Sequence, residues 1–250
     1  MFFFRFLWLF SKNALSLQLL VETCSIMKRI RHLWFMAIAV MTLCIGFTAC
    51  SKDDDEDEQS AKTTIDGYEY VDLGLSVKWA KYNLKGFYQY GNPVANSFTG
   101  DDQTLPTYDI GGTSLDPAYA NMSSKWRLPT HEEIEELANE CVWVLVTEPN
   151  GTRHFRLTGS TGLWIDLPCE GAYPYGNSAE PLFENEEFWL MSSTLEDGNN
   201  PRPYILKGIY ANENAKPTFK VTCIDVQRYS GLSVRGVSTA ESDQAKKENK

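Results

Sequence analysis

The sequence has few of the residues on which most enzyme active sites depend. It contains 3 histidines in 250 residues, and none of them has the H-x-x-x-H spacing of a zinc site. The nucleophile elbow G-x-S-x-G, the P-loop and the glycine-rich dinucleotide-binding motif are also missing. We therefore predict no catalytic residue and no cofactor, and we interpret His131 and His154 as surface or packing residues.

Basic residues are scarce beyond the first 50 positions. Residues 1–50 hold five of the 23 Lys and Arg and one of the 33 Asp and Glu, so residues 51–250 carry 18 basic and 32 acidic side chains, a net charge of −14. A domain this acidic repels nucleic acid and anionic lipid surfaces. We therefore exclude both as partners of the folded part.

Cysteine is sparse in the predicted folded part, which contains Cys141, Cys169 and Cys223. Three cysteines cannot all pair within one chain. One disulfide is compatible with export to an oxidising compartment, and the sequence does not choose among the three pairings.

A lipoprotein signal peptide is predicted over residues 27–49. Three basic residues within 28–31 precede the apolar run 33–47, and small residues at 48 and 49 precede Cys50. The run is too short for a comfortable membrane span. The pattern resembles a bacterial lipobox, in which Cys50 would be the lipid-modified first mature residue; an ordinary signal peptide or membrane anchor is the alternative. We interpret residues 1–26 as an upstream extension from a start site placed too early, with an additional membrane-interacting segment as the alternative.

The acidic segment after Cys50 is predicted to be a tether, residues 50–64. A calcium loop spaces its carboxylates along a turn, whereas the acids here are contiguous and repel one another. The cluster also resembles the export signal that sends Bacteroidetes-type lipoproteins to the outer face of the outer membrane. The residues of that signal would be Ser51, Lys52, Asp53, Asp54 and Asp55.

One α+β domain is predicted over residues 65–238, followed by a disordered tail, residues 239–250. Thr130 followed by Glu133 is a capping-box pattern, and apolar residues follow at helical spacing, which predicts one clear amphipathic helix. DPAYANM, residues 116–122, predicts a helical turn within a long ordered loop region. Short strand-like runs fill most of the remainder, so we expect antiparallel sheets around one main helix.

Several motifs resemble, in the same order, the Fibrobacter succinogenes major paralogous domain family. They are VDLGLSVKWAKYNL (71–84), FYQYGN (87–92), DPAYANMSSKWRLPT (116–130), IDLPCEG (165–171) and GLSVRGV (231–237). Each motif is weak alone, and their order makes the resemblance specific. It implies a surface lipoprotein with a C-type-lectin-like fold, similar also to formylglycine-generating enzymes, in which loops carry the function. The family itself has no agreed chemistry.

Glu148, Asn150 and Asp166 are weak candidates for a calcium site. Glu-Pro-Asn is the triplet with which C-type lectins bind calcium and mannose, and Trp-Ile-Asp follows downstream. The same Glu-Pro-Asn-Gly also predicts a tight turn, because Pro presets φ and Gly accepts positive φ. We favour the turn and predict no metal.

A candidate ligand-binding loop spans residues 196–216. Its tyrosines give contact area and its amides give hydrogen bonds, which suits adaptable recognition. The candidate residues are Asn199, Asn200, Tyr204, Tyr210, Asn212 and Asn214. An ordinary polar surface loop is the alternative. The Trp126-Arg127-Leu128-Pro129 segment could suggest a catalytic arginine, but we expect a structural role, with Trp126 buried and Arg127 paired with an acid or a carbonyl. Arg235 is likewise expected to be a structural strand residue.

The sequence therefore predicts an outer-membrane, cell-surface lipoprotein whose non-catalytic domain binds a protein or glycan ligand. The rival functions are a structural or adhesin-type surface component and an exported cysteine-dependent oxidase. The oxidase would need a pair of reactive cysteines, whereas Cys141 lies on the apolar face of the predicted helix.

Overall fold

The structure of the protein is a computed structural model that describes residues 63–99, 101–176, 180–213 and 216–243. The described residues belong to one unit, Glu58–Lys250. The upstream segment 1–26, the signal peptide 27–49 and nearly all of the tether lie outside the described residues.

Two helices form where the sequence carries helix-start signals. Helix α1, Pro117–Asn121, begins after the N-cap Asp116 with Pro at its first position. Helix α2, His131–Glu140, has the predicted capping box: the Thr130 side chain accepts from the Glu133 backbone N–H, and the Glu133 carboxylate accepts from the Thr130 N–H. Both helix predictions are confirmed. In the described part of the chain, no helix is long and apolar enough to span a membrane.

Strands make up most of the remaining regular structure, and every pair of strands is antiparallel. Their bounds are β1 Thr64–Ile65, β2 Tyr68–Val71, β3 Lys78–Ala80, β4 Tyr88–Gln89, β5 Val142–Thr147, β6 Arg153–Thr158, β7 Trp164–Pro168, β8 Glu187–Leu195, β9 Pro203–Glu213, β10 Lys216–Asp225, β11 Gly231–Leu232 and β12 Val237–Ser238. The sheets have the orders β1-β2-β3-β12, β10-β9-β8, β5-β6-β7 and β11-β4. The domain is thus mostly antiparallel β with two described helices, which agrees with the predicted α+β class.

Glu148-Pro149-Asn150-Gly151 forms the predicted turn, between β5 and β6. The Gly151 N–H donates to the Glu148 carbonyl at 2.8 Å, and Gly151 has a φ of +87°. This left-handed backbone conformation explains why residue 151 is a glycine.

The first and last described segments contact each other. These contacts include residues outside the predicted domain limits of 65 and 238. Strand β12 pairs with β3, with Val237 opposite Trp79. The Asp243 carboxylate accepts from the Thr64 hydroxyl at 2.9 Å and from the Asp66 and Gly67 backbone N–H groups at 3.0 Å. The predicted disordered tail is therefore wrong for residues 239–243, because Asp243 closes the domain onto β1.

The main hydrophobic core contains residues of α2, of the two three-stranded sheets and of the four-stranded sheet. It contains Leu137 of α2, Phe155 of β6, Phe188 of β8 and Leu206 of β9, all 2% exposed or less. A second cluster, around Tyr90, Leu128 and Met191, supports the irregular residues that precede α1. Burial of this much apolar surface is the main stabilising term of the fold.

The predicted structural roles of Trp126 and Arg127 are confirmed. Trp126 is fully buried and donates from its indole N–H to the Ile65 carbonyl at 3.1 Å. Arg127 makes a two-pronged contact with the Glu133 carboxylate at 2.6 and 2.7 Å. This pair joins the segment before α2 to the first turn of the helix.

Candidate functional site

The candidate site is a cleft of about 340 Å³ in which four segments of the chain meet. This volume is at the small end of the range for ligand pockets, about 300–1,000 Å³. The lining comes from the segment after β3, the start of β6, the end of β7 and the segment before β8: Gly86, Phe87, Thr152, Arg153, Pro168, Cys169, Glu170, Pro181, Glu184 and Asn185. Charged, amide, hydroxyl and aromatic groups thus line the same cleft.

Asn185 fixes one wall of the cleft to the β5–β6 hairpin. Its side-chain oxygen accepts from the Arg153 backbone N–H at 2.7 Å, and its side-chain N–H donates to the Gly151 carbonyl at 3.0 Å. The Arg153 guanidinium donates to the Asn185 carbonyl at 2.9 Å and lies over the Tyr210 ring, 4.1 Å from its centroid. The half-buried arginine is therefore held in one orientation at the cleft.

Glu170 is held by a polar network that reaches into the domain interior. One carboxylate oxygen of Glu170 accepts from the Asn83 amide at 3.2 Å and from the Ser233 hydroxyl at 3.1 Å. The Asn83 side-chain oxygen in turn accepts from Arg235 Nε at 2.7 Å. Burial lowers the pKa of Arg235 to about 10, while the nearby carboxylates of Glu170 and Asp166 oppose that shift. The position of Glu170 thus depends on a buried arginine.

Phe87 supplies an aromatic surface to the cleft. Its ring meets Tyr173 edge to face, with centroids 5.1 Å apart, and Tyr173 also contacts Phe98 at 4.9 Å. Aromatic contacts of this kind stabilise the ring positions by about 0.5–1.5 kcal/mol each. Phe87 therefore presents apolar area whose orientation is fixed before a ligand arrives.

The segment before β8 can approach β7 because residue 171 is glycine. A Cβ atom on Gly171 would lie 2.2 Å from the Leu182 carbonyl oxygen. Farther along, Phe183 has a φ of +63°, an uncommon conformation for a bulky residue, and stacks on Trp189 with centroids 6.1 Å apart. Lys207, paired with Glu187 at 2.8 Å, lies 4.3 Å from the Trp189 ring centroid. This aromatic and ionic cluster holds the segment in place.

None of the family models, curated proteins and solved structures compared with this chain matches it. The family resemblance therefore stays a prediction.

The structure separates the residues of the predicted ligand-binding loop, because most of residues 196–216 form the long β9–β10 hairpin. Pairing runs from Tyr204 opposite Asp225 to Glu213 opposite Lys216. At about 3.3 Å per strand residue, Tyr204 and Asn212 are about 26 Å apart, too far for one compact contact surface. The prediction of a single loop is wrong.

The individual loop candidates have separate environments. Tyr204 stacks on His131 with centroids 3.7 Å apart, and Tyr210 stacks on Arg153 beside the cleft. The Asn200 side-chain oxygen accepts from the buried Arg228 at 3.3 Å, whereas Asn199 is exposed. Asn212 lies in β9, and Asn214 lies outside the described residues. Of the five candidates within the described residues, Tyr210 is the one that contacts a cleft residue, Arg153.

The weak calcium candidates have protein partners. Glu148 and Asp166 lie on either side of His154, with carboxylate oxygens 3.6 Å from Nδ1 and Nε2 respectively, and Asp166 also pairs with Arg156 at 2.8 Å. The Asn150 oxygen accepts from the Thr152 backbone N–H and hydroxyl within the turn. Within residues 63–99, 101–176, 180–213 and 216–243, no group of three or more His, Cys, Asp or Glu is placed to hold a metal ion.

All three described cysteines are free thiols. Burial raises the pKa of Cys141 to about 11, of Cys169 to about 12 and of Cys223 to about 11. Because the thiolate is the nucleophile, thiols with such pKa values react slowly at neutral pH. Cys169, although it lines the cleft, therefore has the chemistry of a packed side chain.

A second cavity, of about 350 Å³, lies among irregular residues before α1. It is lined by Gly91, Thr104, Leu105, Pro106, Thr107, Tyr108 and Leu115, with no charged side chain. The first cleft therefore offers the richer set of binding groups.

Sequence reasoning did not find Phe87, Arg153, Glu170, Glu184 and Asn185 as site residues. They come from four separate segments, and no local pattern connects them. The only local signal is Pro-Cys-Glu-Gly at 168–171, where a glycine follows an acid just after the end of β7. The predicted lipidation residue Cys50 and export-signal residues lie outside the described part of the chain.

Proposed function

We propose that the protein is a cell-surface lipoprotein whose single C-type-lectin-like domain binds a glycan in the cleft around Phe87. The leader pattern that ends at Cys50 supports lipid anchoring in the outer membrane, and the acidic residues 53–55 support display on its outer face. The antiparallel sheets and the two helices are compatible with a C-type-lectin-like domain. The domain acts by binding rather than catalysis.

The observation that carries the binding proposal is the fixed combination of groups in the cleft. Phe87 offers an apolar ring, while Glu184, Asn185 and Arg153 offer acceptors and donors. A sugar ring has apolar C–H faces and hydroxyl groups at its edge, so it needs both kinds of contact at once. Because the wall and the Phe87 ring are held before binding, little ordering entropy is lost.

Binding in the cleft predicts a specific effect of Phe87→Ala. The full chain, presented to a glycan array, should bind a defined set of glycans, and Phe87→Ala should weaken that binding at least tenfold, about 1.4 kcal/mol. Tyr82→Ala is the matched control, because Tyr82 is an exposed aromatic that does not line the cleft. The proposal is wrong if no glycan binds, or if both variants bind as the wild type does.

Lipid anchoring predicts different effects for two nearby cysteines. Cys50→Ala should abolish incorporation of labelled palmitate and release the protein from the membrane fraction, because only Cys50 follows the small residues of the cleavage site. Cys44→Ala, within the apolar run of the same leader, should leave both unchanged. A Cys50→Ala protein that still carries label and stays with the membrane would contradict lipidation at Cys50.

A further inference from the structure

Strand β5 is an edge strand with an open side. The order β5-β6-β7 leaves β5 hydrogen-bonded to β6 alone within the described residues. Its two core-facing large side chains, Trp143 and Leu145, are only half-buried, whereas Phe155 and Leu157 on the adjacent β6 are fully buried. The open side therefore exposes part of the hydrophobic core as well as the backbone of β5.

The β5 edge lacks the devices that usually protect an edge strand. Residues 142–147, VWVLVT, contain no charge and no proline. Val142 is 67% exposed and Val144 is 50% exposed, both on the outer face of the sheet opposite Thr158 and Arg156 of β6. Natural proteins commonly protect such edges with lysine, proline or bulges, because unpaired strand edges recruit other strands.

We infer that β5 binds an extended segment of a second protein by strand addition, next to Val142 and Val144. In this binding mode the backbone ladder gives affinity, and alternate side chains give specificity. The partner would place aliphatic residues at alternate positions, opposite the outward-facing valines.

Charge at the two ends of β5 selects the class of partner. Glu140 precedes the strand and Glu148 follows it, and both are exposed. An extended segment with Lys or Arg about eight residues apart would place a basic side chain near each glutamate, whichever way it ran. Opposite charges that face each other across strands stabilise pairing.

A second copy of this chain fits the edge poorly. Antiparallel pairing centred on Val144 brings Glu140, the last residue of α2, near Glu148 of the other copy at both ends, and parallel pairing in register places like residues together. Like charges that face each other across strands are destabilising. The terminal segments of the chain do not fit either: residues 53–58 are acidic, and residues 244–250 contain no aliphatic residue larger than alanine.

Two nine-residue peptides test the inference on the full chain in detergent. Lys-Thr-Val-Thr-Val-Thr-Val-Thr-Lys places three valines opposite residues 142, 144 and 146 and a lysine near each glutamate, and a matched peptide has Glu at both ends. We expect the lysine peptide to bind at least tenfold more tightly. It should also slow backbone amide exchange at least tenfold at the outward-facing amides of residues 142–147.

A variant pair separates strand addition from simple charge attraction. Val144→Asp adds negative charge but removes the central apolar contact, so it should weaken binding of the lysine peptide at least tenfold. Val94→Asp, at an exposed valine of the loop after β4, should change nothing. Equal binding of the two peptides, no binding, or protection outside β5 would overturn the inference. Dimerisation of the free protein that Val144→Asp abolishes would instead assign the edge to a second copy.

Discussion

Replacing Arg235 by methionine is expected to lower the free energy of unfolding by about 3–5 kcal/mol. Arg235 is 1% exposed and donates to the Asn83 side chain at 2.7 Å, to the Asp166 carbonyl at 2.6 Å and to the Lys81 carbonyl at 3.2 Å. Methionine has no donor, so these buried acceptors would lose their partners. A lysine at 235 would fare little better, because a single ammonium cannot reproduce the fork of the guanidinium.

Arg156→Met is the matched control, because Arg156 also contacts Asp166, but does so from the protein surface. Its guanidinium pairs with the Asp166 carboxylate, and its side chain is 38% exposed. An exposed ion pair contributes about 1 kcal/mol or less. Urea unfolding of both variants gives the comparison; an Arg235→Met protein as stable as Arg156→Met would show that the buried network is not stabilising.

The hydrogen-bond network around Arg235 gives three of the family-like sequence motifs a structural role. Asn83 comes from the opening motif VDLGLSVKWAKYNL, Glu170 from IDLPCEG and Arg235 from GLSVRGV. The fold joins all three into one chain of hydrogen bonds. Arg235 itself lies between β11 and β12 rather than in the predicted strand. These motifs therefore meet in the interior of the domain, and two motif residues, Phe87 of FYQYGN and Glu170 of IDLPCEG, also line the cleft.

Features set by neighbouring residues were predictable from sequence. The capping box from Thr130 to Glu133 fixes the start of α2, and Pro149 with Gly151 fixes the turn between β5 and β6. In both cases, the residues that make the deciding hydrogen bond are three positions apart. Such signals do not depend on how distant segments pack.

Features set by distant segments were not predictable. The run YILKGIY predicts a short strand over residues 204–210, but not the long β9–β10 hairpin in which residues 203–213 pair with 216–225. Ile205 and Leu206, although adjacent, are both buried, one on each face of the sheet, which removes the alternation expected of a half-exposed strand. The cleft depends on Phe87 and Glu184, almost one hundred residues apart, and on the close approach that Gly171 permits. Only the tertiary fold brings those residues together.

Asp116→Asn is expected to destabilise the domain by about 2–4 kcal/mol, although it only replaces one carboxylate oxygen by an amide NH2 group. Asp116 is fully buried, and its two oxygens accept from four backbone N–H groups. The donors are Ala118 at 2.8 Å and Tyr119 at 3.2 Å on one oxygen, and Gly112 at 2.9 Å and Leu128 at 2.8 Å on the other. Burial raises the pKa of the carboxyl, and these four donors oppose that rise.

An asparagine at 116 can satisfy only one of the two pairs of donors, because its amide nitrogen would point N–H groups at the other pair. The lost bonds hold α1 to the segments on either side of it, so the loss should appear as a lower urea midpoint. Asp101→Asn is the control: Asp101 is exposed and accepts from the Gln103 N–H at 2.8 Å, a turn that asparagine makes equally well, and its change should stay within about 0.5 kcal/mol. Equal midpoints for the two variants would mean that relief of the buried charge offsets the two lost acceptor contacts.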